Sequence, residues 1–284
     1  MEDFIKKANV LVEAIPYIHA FRHKVFVIKY GGSILEDAVI RKSVLEDIVF
    51  LSYVGIRTIL VHGGGPHISK RLKESGQEAV FHNGIRVTDE QTLNIVSEEL
   101  EKLNNAIVQE IKSLKGQVTG LKGQENIIYV EKKRAAQELG FVGTITSIEH
   151  NAIEQHLKQG LITVISPMGI SAEKQKHNVN ADEVASAIAI SLKAEKLVLL
   201  TNVQGVMRDP DDPHSLLSTL STADINRLID KAVISKGMIP KVQSCVEALY
   251  GGVPKAHIID ARLKHALLLE IFTDKGIGTQ ILNK

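Results

Sequence analysis

Two glycine-rich stretches near the start of the chain carry residue types that bind anions. Residues 29–33 read Lys-Tyr-Gly-Gly-Ser and residues 62–66 read His-Gly-Gly-Gly-Pro, and each stretch follows a mostly apolar run. Such runs, bounded by glycine, are typical of buried strands in a parallel sheet. Glycine has no Cβ, so backbone N–H groups can approach a phosphate, and a neighbouring lysine adds mobile positive charge. The two stretches therefore indicate a site for phosphate or a similar anion.

Neither stretch matches a common nucleotide-binding fingerprint. The chain has no Gly-x-x-x-x-Gly-Lys-Ser/Thr sequence, which excludes a P-loop protein. The first strand is not followed by Gly-x-Gly-x-x-Gly, which argues against a Rossmann dehydrogenase. A single Gly-Gly pair after a strand is more often a tight turn than a ligand site. Two such turns on neighbouring strands, one beside Lys29 and one beside His62, favour a ligand site.

Three polar groupings elsewhere supply further candidate residues. Residues 178–182, Asn-Val-Asn-Ala-Asp, open a predicted helix, where their side chains either face one cavity or cap the helix. Lys241 lies at the start of another predicted helix, where the helix dipole disfavours a cation and an anionic ligand would explain it. Arg86 is suited to a bidentate contact with a carboxylate, although an exposed turn arginine fits its position equally well. Together these groups are the ones that phosphoryl transfer requires.

The predicted elements place these groups in one α/β architecture. Residues 2–21 have a helical spacing of apolar side chains, and Pro16 is expected to break that helix. After it, strands and helices alternate, which predicts a three-layer α/β/α sandwich around a mainly parallel central sheet, with the N-terminal helix as an addition. The stretch 118–147 is interpreted as a hairpin-rich lid. The other predicted elements are helices 36–54, 66–75, 89–114, 221–232 and 240–251, a helix from 181, strands 161–165, 197–200 and 256–260, and a final strand that ends in 276–279.

Composition limits the remaining function classes. The chain has 284 residues, of which 44% are hydrophobic and 24% charged, and this balance is ordinary for a globular protein. A net charge of +1 gives no indication of nucleic-acid binding. The single cysteine, Cys245, fits a small buried residue in a reducing compartment. No apolar stretch approaches the ~20 residues that span a bilayer, so no membrane contact is expected, and the scattered histidines predict no metal site.

At these residues the sequence closely resembles the amino acid kinase family over essentially its whole length. The matching pieces are 29–32, 62–66, 82–88, 178–182, 237–241 and 276–279. The piece 82–88, His-Asn-Gly-Ile-Arg-Val-Thr, resembles members that act on N-acetyl-L-glutamate. The resemblance implies a carbamate kinase-like fold and ATP-dependent phosphorylation of the γ-carboxylate of N-acetyl-L-glutamate. The product would be N-acetyl-L-glutamyl 5-phosphate, in the second step of arginine biosynthesis.

The resemblance also implies a role for each matching residue. Lys29 and Lys241 would stabilise the transferring phosphoryl group, and Asp182 would orient both lysines. Mg²⁺ would arrive with ATP, held mostly by phosphates and water. Asn202 stands where the family usually has Asp, and Ala261 stands where glycine is common. The implied substrate contacts are Gly64, Gly65, Arg86, Asn178 and Asn180. The implied ATP contacts are Gly31, Gly32, Thr201, Asn202, Gly205, Val206, Ser235, Lys236 and Gly237.

Within the family, the chain most resembles the arginine-sensitive cyanobacterial and plastid type. This implies inhibition by L-arginine and a homohexamer, a trimer of dimers linked by the helix at 1–22. The regions 23–177 and 178–284 would form an acetylglutamate lobe and an ATP lobe. The compartment would be the bacterial cytoplasm or the plastid stroma, and docking of the PII signalling protein rests on resemblance alone. The implied arginine contacts are Tyr17, Lys196, His265, Glu270, Gly276 and Gly278.

Two alternatives remain open from the sequence. The chain could be another amino acid kinase, acting on free glutamate or aspartate, which would share the glycine turns but not need the Arg86 segment. It could also be an arginine sensor that kept the fold and lost turnover. The intact Lys29, Asp182 and Lys241 argue against a sensor.

Overall fold

The computed structural model describes residues 1–82, 84–209, 211–212, 214–234, 237–273 and 276–283. The helices are α1 (Glu2–Glu13), α2 (Ile15–Phe21), α3 (Ala38–Tyr53), α4 (Gly65–Glu74), α5 (Glu90–Ser113), α6 (His150–Lys158), α7 (Ala181–Ser191), α8 (Thr222–Asp230), α9 (Met238–Tyr250) and α10 (Ala266–Ile271). The strands are β1 (Val25–Tyr30), β2 (Arg57–His62), β3 (Phe81–His82), β4 (Ile85–Arg86), β5 (Val118–Lys122), β6 (Ile128–Lys132), β7 (Gly143–Ile148), β8 (Ile162–Ser166), β9 (Met168–Ile170), β10 (Lys176–Asn178), β11 (Lys196–Thr201), β12 (Thr219–Ser221), β13 (Lys255–Asp260) and β14 (Thr279–Leu282).

A central eight-stranded sheet has the order β12-β14-β13-β11-β1-β2-β8-β5. Its neighbouring pairs are parallel except β13 and β14, which run antiparallel. Strand β11, from the second half of the chain, lies directly beside β1, with Leu199 opposite Lys29. The carboxyl ends of β11, β1 and β2 therefore meet at one edge of the sheet, where parallel α/β sheets bind ligands.

Side chains alternate between the two faces of the sheet and build a core on each. Phe26 and Ile28 belong to the core that packs under α3, α5 and α10. Val27 belongs to the opposite core, which packs under α6, α7 and α9. Successive side chains of the strands thus face opposite cores, and helices cover both faces of the sheet. This arrangement confirms the predicted three-layer α/β/α sandwich.

Two smaller sheets border the carboxyl edge of the central one. One has four strands in the order β10-β9-β6-β7, and the other is the short β3–β4 hairpin. Residues of the hairpin and of β10 line the same cavity as the glycine turns after β1 and β2. These small sheets therefore place residues from distant parts of the chain beside the anion site.

The helices predicted around residues 36–54, 66–75 and 89–114 are confirmed, and two of their starts have a clear local cause. The side chain of Asp37 accepts hydrogen bonds from the N–H groups of Val39 and Ile40 and caps α3. Asp89 caps α5 by accepting from the N–H of Thr92 at 2.7 Å. Both helices therefore begin directly after an aspartate that satisfies free N–H groups.

Two sequence-based predictions for strands are wrong. The first part of the supposed lid, Val118–Lys122, is edge strand β5, which pairs in parallel with β8; only β6 and β7 form the expected antiparallel hairpin. The final strand begins at Thr279 instead of ending there. The preceding residues cannot join it, because the N–H groups of Ile277 and Gly278 donate to the carboxylate of Glu270. Helices α6 and α10 were not predicted.

The N-terminal segment is broken where the sequence predicted. Helix α1 ends at Glu13, and Pro16 is the second residue of α2, where its missing N–H costs no hydrogen bond. The apolar side chains of α1 stay exposed: Leu11, for example, is 67% accessible. Helix α2 is better packed, because the ring of its last residue, Phe21, lies 5.3 Å from that of Phe26. Across the described residues, the helices include none that is long and apolar enough to cross a membrane.

Candidate active site

Two lysines from distant elements share one buried carboxylate. Lys29 lies near the end of β1, Lys241 in the first turn of α9, and Asp182 in the first turn of α7. The Lys29 Nζ is 2.8 Å from Asp182 Oδ1, and the Lys241 Nζ is 2.9 Å from Asp182 Oδ2. The predicted catalytic residues are thus brought into one cluster, in which the carboxylate fixes the spacing of two ammonium groups.

The charge state of this cluster follows from the balance of burial and ion pairing. Burial disfavours the charged form of Asp182, but Lys29 and Lys241 outweigh it and lower the pKa of Asp182 to about 2. Burial lowers the pKa of Lys29, while the attraction to Asp182 opposes that shift. Asp182 is therefore ionised near neutral pH and serves as a fixed counter-ion, not as a proton carrier.

The glycine turns after β1 and β2 pack against each other. A Cβ on Gly31 would lie 3.1 Å from the Lys29 side chain and 3.3 Å from the backbone of Gly63. Gly32 has φ +80°, which glycine adopts without strain, while a Cβ on Gly64 would meet Leu100 of α5 at 2.7 Å. Gly65 is the first residue of α4, whose first-turn N–H groups have no partner within the helix. Positions 32 and 64 thus need glycine, and the turns offer backbone donors.

Arg86, at the end of the β3–β4 hairpin, is held beside the second turn. Its Nη2 donates to the carbonyl of Gly65 at 3.1 Å and to Ser69 Oγ at 2.8 Å, and its guanidinium lies 4.6 Å from the centre of the Phe81 ring. Its Nη1 is buried and has no hydrogen-bond partner among the described residues. Burial lowers the pKa of Arg86. A buried donor without a partner at a cavity wall is ready to bind a carboxylate.

The two asparagines of the 178–182 segment have different roles in the structure. Asn180 Oδ1 accepts from the N–H groups of Asp182 and Glu183, so its side chain caps α7 and fixes the helix that carries Asp182. Asn178, the last residue of β10, donates from Nδ2 to Thr88 Oγ1 at 3.1 Å. Both asparagines also line the cavity, so capping and ligand contact do not exclude each other.

These residues surround a single cavity of about 380 Å³. Three cationic side chains and one carboxylate line it, which favours an anionic ligand. Its apolar wall includes Ile68 and Leu100. The lining includes the predicted catalytic residues, all five predicted substrate residues and one predicted ATP residue: Lys29, Asp182, Lys241, Gly64, Gly65, Arg86, Asn178, Asn180 and Gly32.

Four other predicted ATP residues, Thr201, Asn202, Gly205 and Val206, lie outside the lining of this cavity, at and after the carboxyl end of β11. Thr201 Oγ1 donates to the carbonyl of Val203 at 2.8 Å, and Asn202 Nδ2 lies 3.4 Å from Ser33 Oγ, in the turn after β1. A Cβ on Gly205 would lie 2.5 Å from Thr279 Oγ1, and the N–H of Val206 donates to the same oxygen. Gly237 precedes α9 as its N-cap. Ser235 and Lys236 lie outside the described residues.

The predicted arginine residues form a second group around α10. The carboxylate of Glu270 accepts hydrogen bonds from the N–H groups of Ile277 and Gly278. It also lies close to Gly276, since a Cβ added to Gly276 would come within 2.8 Å of the Glu270 carboxylate. Tyr17 of α2 meets the group through Phe272, with ring centres 6.3 Å apart.

Two histidines of this region make close polar contacts. His265, a predicted arginine contact, lies directly before α10, and its Nδ1 is 2.6 Å from Asp47 Oδ1 of α3. His257, which sequence analysis missed, joins Lys196 to Glu270: its Nε2 is 3.2 Å from Lys196 Nζ and its Nδ1 is 2.6 Å from Glu270 Oε1. Burial lowers the pKa of Lys196 to about 8, an effect that Lys255 strengthens. His257 is a single histidine in the mostly apolar strand β13, and the sequence around it contains no motif that indicates this contact.

Among the residues that the structure describes, no cluster of three or more His, Cys, Asp or Glu side chains is arranged to hold a metal ion. Cys245 is buried within the core and forms no disulfide. Burial raises its pKa. It fits the small buried residue that the sequence predicted.

Sequence comparison identifies the family to which this architecture belongs. A sequence profile described as the amino acid kinase family matches residues 24–260. The acetylglutamate kinase of Desulforamulus reducens is 46% identical over 282 residues, which cover 98% of both chains. That of Caldanaerobacter subterraneus is 47% identical and covers 98% of this chain and 94% of the relative.

Solved structures show the same fold. The N-acetylglutamate synthase of Neisseria gonorrhoeae, in complex with coenzyme A and N-acetyl-glutamate, superposes with a TM-score of 0.88 at 28% identity over 98% of this chain. The chain spans 63% of the length of that synthase. A carbamate kinase from Giardia lamblia superposes with a TM-score of 0.69 over 92% of this chain and 99% of its own, and its 14% identity bears on the fold alone. The chain belongs to the amino acid kinase family and, within it, to the acetylglutamate kinases.

Proposed function

We propose that the chain transfers the γ-phosphoryl group of ATP to the γ-carboxylate of N-acetyl-L-glutamate, giving ADP and N-acetyl-L-glutamyl 5-phosphate. The observation that carries the proposal is the cluster of Lys29, Asp182 and Lys241 at a cavity whose wall also holds the buried guanidinium of Arg86. The relatives at 46–47% identity are acetylglutamate kinases, which supports this acceptor. The reaction belongs to arginine biosynthesis.

The chemistry needs positive charge and alignment more than proton transfer. The acceptor is a carboxylate, which is already ionised at neutral pH, so no general base has to remove a proton from it. Charge on the transferring phosphoryl group is spread over its oxygens, and Lys29 and Lys241 approach it from two different elements. Asp182 keeps the two ammonium groups at a fixed spacing before substrates bind, so that little reorganisation is needed during transfer.

The acceptor would be held by groups on the opposite side of the cavity. We assign the α-carboxylate of N-acetylglutamate to Arg86, whose Nη1 has no other described partner. Gly64 and Gly65 would bind the reacting carboxylate through backbone N–H groups at the start of α4. Asn178 would hold the acetamido group. Thr88 accepts from Asn178 and so fixes the orientation of that side chain.

ATP would bind across the ends of β1 and β11, with its phosphates directed to the first glycine turn. Because β1 and β11 are neighbours in the sheet, Gly31 and Gly32 would supply the close backbone approach. Thr201, Asn202, Gly205 and Val206 would border the nucleotide. Mg²⁺ would enter as the MgATP complex, since this cation retains water and phosphate ligands readily.

A substrate comparison tests the proposal against its alternatives. The full chain is incubated with MgATP and hydroxylamine, and hydroxamate formation is measured with N-acetylglutamate, glutamate or aspartate as acceptor. N-acetylglutamate is expected to be the preferred acceptor. Preferred turnover of glutamate or aspartate would assign the chain to another amino acid kinase activity, and binding of arginine without turnover of any acceptor would make it a sensor.

Arg86→Ala is expected to raise KM for N-acetylglutamate by about 10- to 100-fold, because a charged hydrogen bond of this kind contributes about 1.5–3 kcal/mol. KM for ATP should change by less than about twofold. Arg71→Ala is the matched control, since Arg71 lies on the exposed face of α4 with only a 3.9 Å contact to Glu74. A larger effect on KM for ATP than on KM for N-acetylglutamate would show that the two ends of the site have been exchanged.

We further propose that L-arginine inhibits the enzyme from the group around α10. Lys196, Glu270, Gly276 and Gly278 lie together there, Tyr17 lies at the edge, and His265 flanks the start of α10. The synthase of Neisseria gonorrhoeae, which has also been solved in complex with L-arginine, superposes with a TM-score of 0.83 at 27% identity, and this supports the proposal. Bound arginine can inhibit only if it prefers a less active arrangement of the two lobes.

Helix α1 is proposed to join dimers into a hexamer. Val10, Leu11 and Val12 are each more than 60% exposed in the single chain, and an equivalent helix of another subunit would cover them.

Deleting residues 1–20 removes α1 and Tyr17. The deletion variant is therefore expected to be an active dimer that arginine does not inhibit, with the oligomeric state measured by light scattering. Glu13→Gln, which leaves the apolar face intact, should remain hexameric and arginine-sensitive. A deletion variant that is still hexameric, or still fully inhibited, would contradict this proposal.

Docking of the PII signalling protein and the plastid or cytoplasmic location remain proposals from family resemblance. Residues 47–51, a segment that resembles the cyanobacterial and plastid branch of the family, offer little surface for docking, because Asp47, Ile48 and Leu51 are buried. Calorimetric titration with a PII protein in the presence of ATP tests the docking, and absence of binding would remove it.

A further inference from the structure

A buried asparagine on α5 contacts three strands beneath the second glycine turn. Asn104 is 3% exposed, and its Nδ2 lies 3.2 Å from the carbonyl of Val164, 3.5 Å from that of Leu121 and 3.2 Å from Nε2 of His62. The amide oxygen of Asn104 packs closely against Gly120, since a Cβ added to Gly120 would fall 2.3 Å from Asn104 Oδ1. The amide is therefore confined to one position by β5, β8 and β2.

These contacts determine where His62 carries its proton. The two carbonyl oxygens can only accept, so the amide atom facing them must be the donor Nδ2. His62 Nε2 lies against that same donor and must accept, which leaves the proton on Nδ1. Nδ1 is 3.1 Å from the carbonyl of Gly63, to which it then donates. His62 is fully buried, and burial lowers its pKa to about 4, so the ring stays neutral near pH 7.

The hydrogen bond to Gly63 also orients the following amide group. In a planar trans peptide, the N–H of Gly64 points opposite to the carbonyl of Gly63. Because that carbonyl points to the buried ring of His62, the N–H of Gly64 points away from the ring, and Gly63, Gly64 and Gly65 all line the cavity. Leu100, one turn before Asn104 on α5, packs against Gly64 and limits its movement further.

We propose that Asn104 is a positioning residue for the acceptor, acting through His62 to hold the Gly64 N–H toward the reacting carboxylate. Neither Asn104 nor His62 lines the cavity, so the effect is indirect. The inference rests on the proposed acceptor function of the glycine turn. Wild-type turnover of N-acetylglutamate tests that function separately.

The test compares three variants with the wild type by steady-state kinetics and thermal unfolding. Asn104→Leu keeps the branched shape of the side chain but removes the donor. His62→Gln keeps a polar group near Nε2 but loses the donor to Gly63, whereas His62→Asn keeps a donor near Nδ1 and loses the contact with Asn104. We expect Asn104→Leu and His62→Gln to raise KM for N-acetylglutamate about tenfold, as for one lost hydrogen bond. KM for ATP should stay within about twofold.

The His62→Asn variant separates positioning from general stability. It should have a KM for N-acetylglutamate closer to wild type than His62→Gln, although both unfold at lower temperature than the wild type. If all three variants lower Tm and the amount of active enzyme while both KM values stay unchanged, the role of Asn104 is structural and the inference is wrong. Equal KM values for His62→Asn and His62→Gln would also overturn it. A wild-type enzyme that does not turn over N-acetylglutamate would instead refute the proposed function.

Discussion

Replacing Lys241 with alanine is expected to lower kcat by about 10²–10³, the usual loss for one electrostatic contact to a transition state. Lys241 shares Asp182 with Lys29, and its side chain is 24% exposed and lines the cavity, where an incoming phosphoryl group can reach it. Because charge on the phosphoryl oxygens increases during transfer, the lost interaction is made mainly in the transition state. The kcat should therefore fall with little change in KM for N-acetylglutamate or ATP.

Lys133→Ala is the matched control for this experiment. Lys133 also pairs with an acidic residue of α7, Glu183 at 2.9 Å, but it is outside the lining of the cavity. Loss of the Lys133 side chain should leave kcat within about twofold of the wild-type value, as expected for an isolated, partly exposed ion pair. A kcat of Lys241→Ala within a few-fold of wild type would show that this lysine does not stabilise the transfer.

Asp182→Asn is expected to lower kcat by a similar factor of about 10²–10³, for a different reason. The carboxylate is buried and lies within 3 Å of both ammonium groups, so its neutralisation leaves two nearby cations without a counter-ion. They would repel each other and lose the spacing that transfer requires. Glu183→Gln, at the next position of α7, is the matched control and should leave kcat nearly unchanged.

The pH dependence of Asp182→Asn gives an independent check. Burial lowers the pKa of Lys29 and Asp182 raises it, so removing the carboxylate should lower that pKa further. A lysine with a lower pKa loses its positive charge at lower pH. The basic limb of kcat against pH should therefore move to lower pH in the variant. A basic limb at the wild-type position would mean that Asp182 does not support the charge of Lys29.

The parts of the site that the sequence predicted are those whose chemistry is local. Glycine turns after apolar strands indicated an anion site, because the need for close backbone approach appears in a few adjacent residues. Lys241 stands out in the sequence because a cation in the first turn of a helix opposes the helix dipole. That Asp182 joins Lys29 to Lys241 came from family resemblance, since these residues are far apart in sequence and meet only in the folded sheet.

The contacts that sequence analysis missed depend on tertiary structure. His257 connects Lys196 to Glu270, and Asn104 connects His62 to two neighbouring strands, yet neither residue has a recognisable local pattern. The ring of His265 pairs with Asp47 on α3, 218 positions earlier in the chain, and no local pattern indicates that contact either. A buried polar side chain is chosen by the partners around it, and those partners are known only from the fold.

Two errors in the strand prediction have the same origin. The run 118–122 has only partly buried side chains because it lies at the edge of the sheet, so its pattern did not separate it from a surface hairpin. The loop before β14 is held by the carboxylate of Glu270 and not by a sheet ladder. By contrast, β1, β2 and β11 are almost fully buried, and their continuous apolar runs predicted central strands correctly.

The destination of the phosphoryl group can be followed directly with N-acetylglutamate that carries ¹⁸O in both oxygens of its γ-carboxylate. The full chain and MgATP convert it in the presence of hydroxylamine, which attacks the acyl carbon and releases phosphate. If a carboxylate oxygen attacked the γ-phosphorus, that oxygen stays on phosphorus, and each phosphate released from the product carries one ¹⁸O by mass spectrometry. We expect one ¹⁸O per phosphate with the wild type and the same label at a rate about 10²–10³ lower with Lys241→Ala. Phosphate without ¹⁸O would show that ATP is hydrolysed by water, and it would contradict transfer to the carboxylate at this site.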